Sequence, residues 1–308
     1  MSSNAAIATS PVGGGQARRR PRSDLKVALA FILPATIGLV TFFIVPTIRG
    51  FYLSFTEYSI LGSPTWVGIE NYQALVKDPL FHNAFWVTLQ YVLINIILQT
   101  AIALGLALLM HNIAKSTFIR GTLLMPYLMA NVIAALLWFW LLDYQIGIVN
   151  YFIEAIGLPK VAFFGSETWA IPTQALINTW RHMGYTALLI FAGLQSIPNT
   201  VYEAAAIDGA KPIQTFTKVT LPLLRPVLAL VLVLTVTGSF QVFDTVAVTT
   251  QGGPVNASRV MQFYIYQKAF NEQEFGYGSA LAMVLFLILG IAAFIQMKFL
   301  RGNESDLA

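Results

Sequence analysis

Of the 308 residues, 56% are hydrophobic and only 10% charged, and the net charge is +4. A soluble domain averages about 25% charged residues, so this chain cannot cover its surface with charge and must meet lipid. The absence of cysteine excludes disulfides, thiolate metal sites and cysteine nucleophiles. The three histidines, His82, His111 and His182, do not pair at metal-ligand spacing.

Residues 1–25 are rich in Ser, Ala, Gly and Arg, and lead through Arg18, Arg19, Arg20 and Arg22 to Lys26. They carry no apolar period and read as a disordered basic cytoplasmic tail, followed by a transmembrane domain over 26–308. A basic region before an apolar stretch can also be a signal peptide, but five further spans follow. A span needs roughly 20 apolar residues to cross about 30 Å of hydrocarbon. Six stretches satisfy this: about 27–47, 85–110, 122–142, 169–192, 224–244 and 277–300. None alternates as a barrel strand would, so the fold class is all-α, a polytopic protein with six transmembrane helices. Pro34 and Pro126 fall in the first and third spans, where packed membrane helices tolerate proline.

Lys and Arg near the segment ends fix the orientation. Twelve lie on the side of the N-terminal tail and five on the other, which makes both termini cytoplasmic. The outer loops carry structure of their own. Residues 48–84 include Trp66 through Tyr72, and 143–168 hold an amphipathic stretch around Ile148, Val149, Tyr151, Phe152 and Ile156. They suit interfacial helices with belt aromatics or a docking surface for an external partner. Asn256-Ala257-Ser258 matches the short glycosylation sequon.

The inner loop 193–225 is the most informative part of the chain. Pro198 suits a helix start, and Glu203 to Ile207 has high helix propensity. Gly209 suits a left-handed C-terminal cap. Pro212 can open a second helix, which is expected to end near Leu221 because Pro222 restricts the residue before it. Glu203 and Ile207, four apart, put a carboxylate beside an apolar knob on one face. Physically this is either a connector on the membrane surface or a docking helix.

Glu203-Ala204-Ala205 through Asp208-Gly209-Ala210, with Leu221-Pro222 downstream, resembles the EAA loop of binding-protein-dependent ABC importer permeases. Ser54 to Tyr58, Val67 to Tyr72, Asp78 to Phe81, Phe240 to Asp244, Gly252-Gly253-Pro254 and Phe275 to Gly278 resemble the carbohydrate branch, of the maltose and glycerol-phosphate first-permease type. The resemblance implies the type I importer permease (MetI-like) fold in a bacterial inner membrane. It also implies a second permease subunit, two ATPase subunits and an extracytoplasmic solute-binding protein. Its EAA loop is the coupling helix that sits in a cleft of the ATPase, so Glu203, Ala204, Ala205, Ile207, Asp208, Gly209 and Ala210 become the coupling residues. The chain has no Gly-Lys pair and so no phosphate loop. ATP and Mg are therefore expected on the partner ATPase, with no cofactor bound by this chain.

Polar groups inside spans are costly, on the order of 2.5–3.5 kcal/mol for a central charge on insertion scales. Asn178, Arg181, His182 and Tyr185 interrupt the fourth span, and Thr235, Ser239, Gln241, Val242 and Asp244 fall in the second half of the fifth. They suit either a solute pathway or helix-to-helix hydrogen bonding, such as an Arg181–Asp244 pairing. Asn178, Arg181, His182, Tyr185, Ser239 and Val242 match sugar-site positions of the maltose-type subunit, and Arg181 and His182 depart from its uncharged pattern. That points to a small sugar or sugar derivative, and a fixed cation at Arg181 would suit an acidic one. Gln90, Asn95, Gln99 and Asn131 read as packing residues for the most part. The spans hold no paired carboxylates, metal cluster or Ser-His-Asp set, which speaks against an enzyme. A stand-alone secondary transporter or channel would usually show more spans or repeated halves.

Overall fold

The computed structural model describes residues 24–59, 62–112 and 117–301. The tail expected over 1–25 lies, up to residue 23, outside the described residues. In the first unit, residues 1–49, α1 (Asp24–Leu39) passes through a π-helical turn at Val40–Ile44 into α2 (Val45–Leu53). Thr36 and Thr47 turn their hydroxyls onto the carbonyls of Ile32 and Phe43, four residues back. That is how a hydroxyl in an apolar helix is satisfied without water.

The second unit, residues 50–308, takes in the last four residues of α2 and then a two-residue antiparallel pairing of β1 (Thr56–Glu57) and β2 (Thr65–Trp66). Then come α3 (Glu70–Lys77), the long α4 (Pro79–Asn112), α5 (Thr117–Leu128) and α6 (Asn131–Leu141). The short α7 (Ile148–Ala155) precedes α8 (Ala170–Gln195). The inner loop forms α9 (Asn199–Ile207), α10 (Pro212–Thr215), a π turn at Phe216–Thr220 and α11 (Leu221–Leu223). The chain closes with α12 (Arg225–Phe240), α13 (Asp244–Thr249), α14 (Met261–Tyr266), a π turn at Gln267–Asn271 and α15 (Phe275–Arg301).

Among the described residues, four helical stretches are long and apolar enough to cross a bilayer: Lys26–Leu53, Pro79–His111, Arg225–Thr249 and Phe275–Lys298. The bent pair α5–α6 supplies a fifth if it counts as one span. The remaining expected span is α8, whose 26 residues reach about 39 Å. Its internal polar residues make it less apolar than the rest, and it packs against α4, α5, α6 and α12.

One expectation needs correction. The single helix expected over 122–142 is two, bent by 93°. α5 runs past Pro126 to Leu128. Met129 N then closes a tight turn on Pro126 O at 3.2 Å, Ala130 is extended, and Asn131 restarts the helix. The Tyr127 and Met129 carbonyls freed at the break are taken by Arg181. The second helix of the inner loop ends near Leu221 as expected, at Leu223, although Pro222 lies inside its last turn rather than beyond it. The π turn lets Leu221 N bond Phe216 O, which carries the helix into Pro222.

Small residues set the packing, as membrane helices require for close approach. Ala103 and Ala107 of α4 and Ala187 of α8 are fully buried. A Cβ on Gly184 would overlap the Leu123 carbonyl, so only glycine lets α5 lie this close to α8. The apolar core forms two clusters. One holds Tyr91, Ile171, Phe240 and Leu281, the other Met110, Ile190, Leu194 and Leu224. On α4, Asn95 and Gln99 fall between the two sets; on α8, residues 178–186 do; on α12, Thr235 and Ser239 do. A polar layer therefore separates two dry ones.

Candidate functional site

The polar layer surrounds a cavity of about 400 Å³. Seven of the eight pathway residues named from the sequence line it: Asn178, His182, Tyr185, Thr235, Ser239, Gln241 and Val242. Arg181 does not. Two helix breaks meet there. Tyr127 and Asn131 flank the α5–α6 break, and Gln241, Val242 and Phe243 form the α12–α13 break that Asp244 ends. Asn131 Nδ2 donates to Asp244 Oδ2 at 2.6 Å and ties one break to the other. Irregular backbone at membrane depth is tolerated where it lines a cavity, and discontinuous helices mark solute sites in many transporters.

Arg181 is occupied elsewhere. Its Nε donates to Met129 O at 2.9 Å, and its Nη2 donates to Met129 O at 2.7 Å and Tyr127 O at 3.1 Å. These are carbonyls that α5 leaves unpaired where it breaks. Nη1 donates to His182 Nε2 at 3.0 Å. Guanidinium can only donate, so that nitrogen accepts, and Nδ1 is left to donate to Asn178 O at 3.0 Å. The contacts thus describe a neutral imidazole with its proton on Nδ1. No ion pair joins Arg181 to Asp244 among the described residues, so the expected alternative pairing is replaced by the Arg181–carbonyl and Asn131–Asp244 contacts.

One wall is aromatic, with Tyr127 and Tyr185 stacked at 4.6 Å and 9°. The lining also holds an amide and hydroxyl network. Asn95 Nδ2 donates to Ser239 Oγ at 2.8 Å, Asn178 Nδ2 donates to Asn95 Oδ1 at 2.9 Å, and Gln99 Nε2 donates to Thr186 Oγ1 at 2.8 Å. Asn95 and Gln99 are packing residues as read from the sequence, and they line the cavity too. Tyr127 and Thr245 were not singled out. Nothing local marks Tyr127 as interior, whereas Thr245 beside Asp244 carried a signal. Its side chain is 8% exposed and its hydroxyl has no partner among the described residues.

The inner loop has the geometry its composition implies. Gly209 has φ +73°. Gly209 N bonds Ala206 O at 3.1 Å and Ala210 N bonds Ala205 O at 3.0 Å, the paired contacts of a Schellman cap. Glu203, Ala204 and Asp208 are exposed, Ala205 is buried, and Ala210 is intermediate. Ile207 is 87% exposed and Ile213 is 77% exposed.

On the opposite loop face, Asp78 organises α3, α14 and α15. Tyr264 and Tyr277 donate to its Oδ2, and Leu80 N donates to Oδ1 at 2.8 Å. Burial alone would raise this carboxyl, but these hydrogen bonds, with one from Phe81 N, outweigh it and hold Asp78 below the ordinary carboxylate range. The expected amphipathic stretch is α7, whose Ile148, Tyr151 and Phe152 are exposed. It is anchored by buried Asn150, which donates to Asp143 O and Val161 O. In the sequon, Asn256 Oδ1 accepts from Arg259 Nε.

The family model described as binding-protein-dependent transport system inner membrane component matches residues 99–301. The sulfoquinovosyl glycerol transport system permease protein SmoG of Agrobacterium fabrum is 34% identical over 284 residues, spanning 91% of this chain and 92% of that one. The probable ABC transporter permease protein YesP of Bacillus subtilis is 32% identical, over 92% of this chain and 94% of that one. Among solved structures, a chain of a bacterial ABC transporter involved in import of the acidic polysaccharide alginate superposes with a TM-score of 0.81 at 23% identity. It covers 92% of this chain and 99% of that one, which shows a common fold.

Proposed function

The chain belongs to the family of binding-protein-dependent transport system inner membrane components, and on that premise we propose that it is a sugar-conducting permease subunit of an ATP-driven importer. A second permease subunit, two ATPase subunits and an extracytoplasmic solute-binding protein complete the assembly. The chain sits in the bacterial inner membrane with both termini in the cytoplasm. ATP and Mg act on the partner ATPase, and this chain supplies no phosphate loop.

The observation that carries the reading is the exposed end of α9. Ile207, 87% exposed, stands one turn after Glu203, and the Gly209 cap reverses the chain immediately beyond. With Ile213, 77% exposed on the other side of the Gly209 cap, and the exposed carboxylates of Glu203 and Asp208, it offers apolar surface with polar neighbours, which suits insertion into a cleft of another protein. The relatives of known name are permeases, and the EAA pattern falls on these residues. Closure of the ATPase would move α9, and with it α8 and α12, which flank the inner loop in the chain and line the cavity. The cavity suits a solute of mono- to disaccharide size, since about 400 Å³ falls at the small end of the usual range of about 300–1,000 Å³.

Glu203→Lys tests the coupling directly. The substituted chain should insert and assemble in normal amount while binding-protein-stimulated uptake falls to background. Normal uptake would make the loop a connector only.

A further inference from the structure

Asn95, which reads from the sequence as a packing residue, joins three helices. Its Nδ2 donates to Ser239 Oγ of α12 at 2.8 Å and to Gln99 Oε1 at 3.2 Å. Its Oδ1 accepts from Asn178 Nδ2 at 2.9 Å and Thr179 Oγ1 at 3.4 Å, both of α8. These contacts fill both donors and both acceptor sites of the carboxamide, in a side chain with no exposed surface. The Ser239 hydroxyl gives its own proton to Thr235 O at 2.6 Å, so toward Asn95 it can only accept.

The two sides of this junction differ. α4 and α8 share the bonds Asn95–Asn178, Asn95–Thr179 and Gln99–Thr186, and they pack closely through Ala103, Ala107 and Ala187. Among the described residues, α12 makes one side-chain hydrogen bond to another helix, the one from Asn95 to Ser239. Val231 and Phe240 hold it otherwise by apolar contact, which is non-directional. The cavity is lined by α12 on one hand and by α4 and α8 on the other. Beyond the break at Gln241–Phe243, α13 is tied separately, Asp244 to Asn131 and Thr249 to Gln174. α12 can therefore turn about the break while α4, α8 and α13 keep their contacts.

We propose that Asn95 is a positioning residue and that its bond to Ser239 is a latch, which holds α12 to the α4–α8 pair in the complex at rest and must open during transport. Every donor and acceptor in the latch belongs to this chain, so it closes without its partners and is opened by them. The proposal rests on the importer reading above and adds the contact at which the cavity walls part.

The test uses the purified complete complex, with ATP hydrolysis measured without and with loaded binding protein. Ser239→Ala removes the acceptor of the latch. Hydrolysis without binding protein should rise about threefold or more, the population shift that follows loss of one interhelix bond in a membrane. Thr88→Val is the control: it removes a buried hydroxyl that accepts from Met261 N at 2.8 Å, away from α12. It should lower the melting temperature and leave the ratio of the two rates as in the parent. Spin labels read the motion itself, because the chain has no cysteine of its own. Ile97→Cys with Leu230→Cys spans α4 and α12, and Ile97→Cys with Leu176→Cys spans α4 and α8, all at residues 44% to 65% exposed. With cysteine-free partner subunits, ATP and loaded binding protein should shift the first distance and leave the second unchanged. An unchanged rate ratio in Ser239→Ala overturns the proposal. So does an equal change in Thr88→Val, or a first distance that moves no more than the second. Failure of the importer reading shows separately, as a parent complex whose hydrolysis loaded binding protein does not stimulate.

Discussion

Asn131 Nδ2 donates to Asp244 Oδ2 at 2.6 Å and so joins the first residue of α6 to the first residue of α13. Both residues follow a helix break, and both breaks face the same cavity. Hydrogen bonds to charged groups contribute about 1.5–3 kcal/mol. Asn131→Ala should lower the melting temperature of the purified complex and cut uptake severalfold. Asn131→Asp should do worse, because two carboxylates would then share the contact. Equal behaviour of the two variants would mean that charge at this contact is unimportant.

Arg181 reaches across from α8 to the end of α5 and satisfies carbonyls that the break exposes. Leaving a buried carbonyl unpaired costs about 1–3 kcal/mol. Arg181→Ala should therefore reduce thermal stability and yield of the complex. Arg181→Lys should recover only part, since an ammonium cannot reproduce the planar fork. The solute preference of the residual complex should be unchanged. A variant of normal stability with altered preference would make Arg181 a solute ligand.

The spans were legible because membrane thickness demands long apolar runs: 85–110 and 277–300 fall inside α4 and α15, and 27–47 falls inside the helical stretch Lys26–Leu53. The inner loop was legible because Pro198, Gly209 and Pro212 each restrict the backbone in a known way. The direction of Arg181 was not. Spacing puts a side chain on a face, but the partner of this one is a break 52 to 54 residues away, hidden inside what reads as one continuous apolar span. Pro126 was the only local hint, and proline in a membrane helix is compatible with either outcome. Asn131 and Asp244 lie in different spans, so no periodicity could pair them.

Two glycines should separate packing from conformation. Gly184→Ala puts a methyl group into the Leu123 carbonyl and should prevent stable assembly, read as loss of the complex in gel filtration. Gly209 has open space around it but φ +73°, so Gly209→Val meets no neighbour and strains only the backbone, by about 1–2 kcal/mol. That variant should assemble but fail to transport. Normal uptake would show that the left-handed cap is dispensable.

Acid should loosen the contacts among α3, α14 and α15 through Asp78. Its carboxyl is held below the ordinary range in the folded protein, so its contribution is complete above the unfolded value of about 4 and is lost as pH falls through the lower folded value. Thermal unfolding should show a drop in stability below about pH 4 that is smaller in Asp78→Asn, which carries no titrating carboxyl. The variant itself should be less stable than the parent at pH 7. Identical acid profiles for the two proteins would remove Asp78 from the account.

The central claim is that this chain conducts solute only when an ATPase drives it through α9. The most direct measurement is solute uptake by proteoliposomes containing the two permease subunits, with the binding protein supplied, in the presence and absence of the ATPase subunits and ATP. Uptake is predicted only when ATPase and ATP are both present. Uptake without the ATPase, driven by an ion gradient or by the solute gradient alone, would contradict the account and identify a stand-alone transporter or channel.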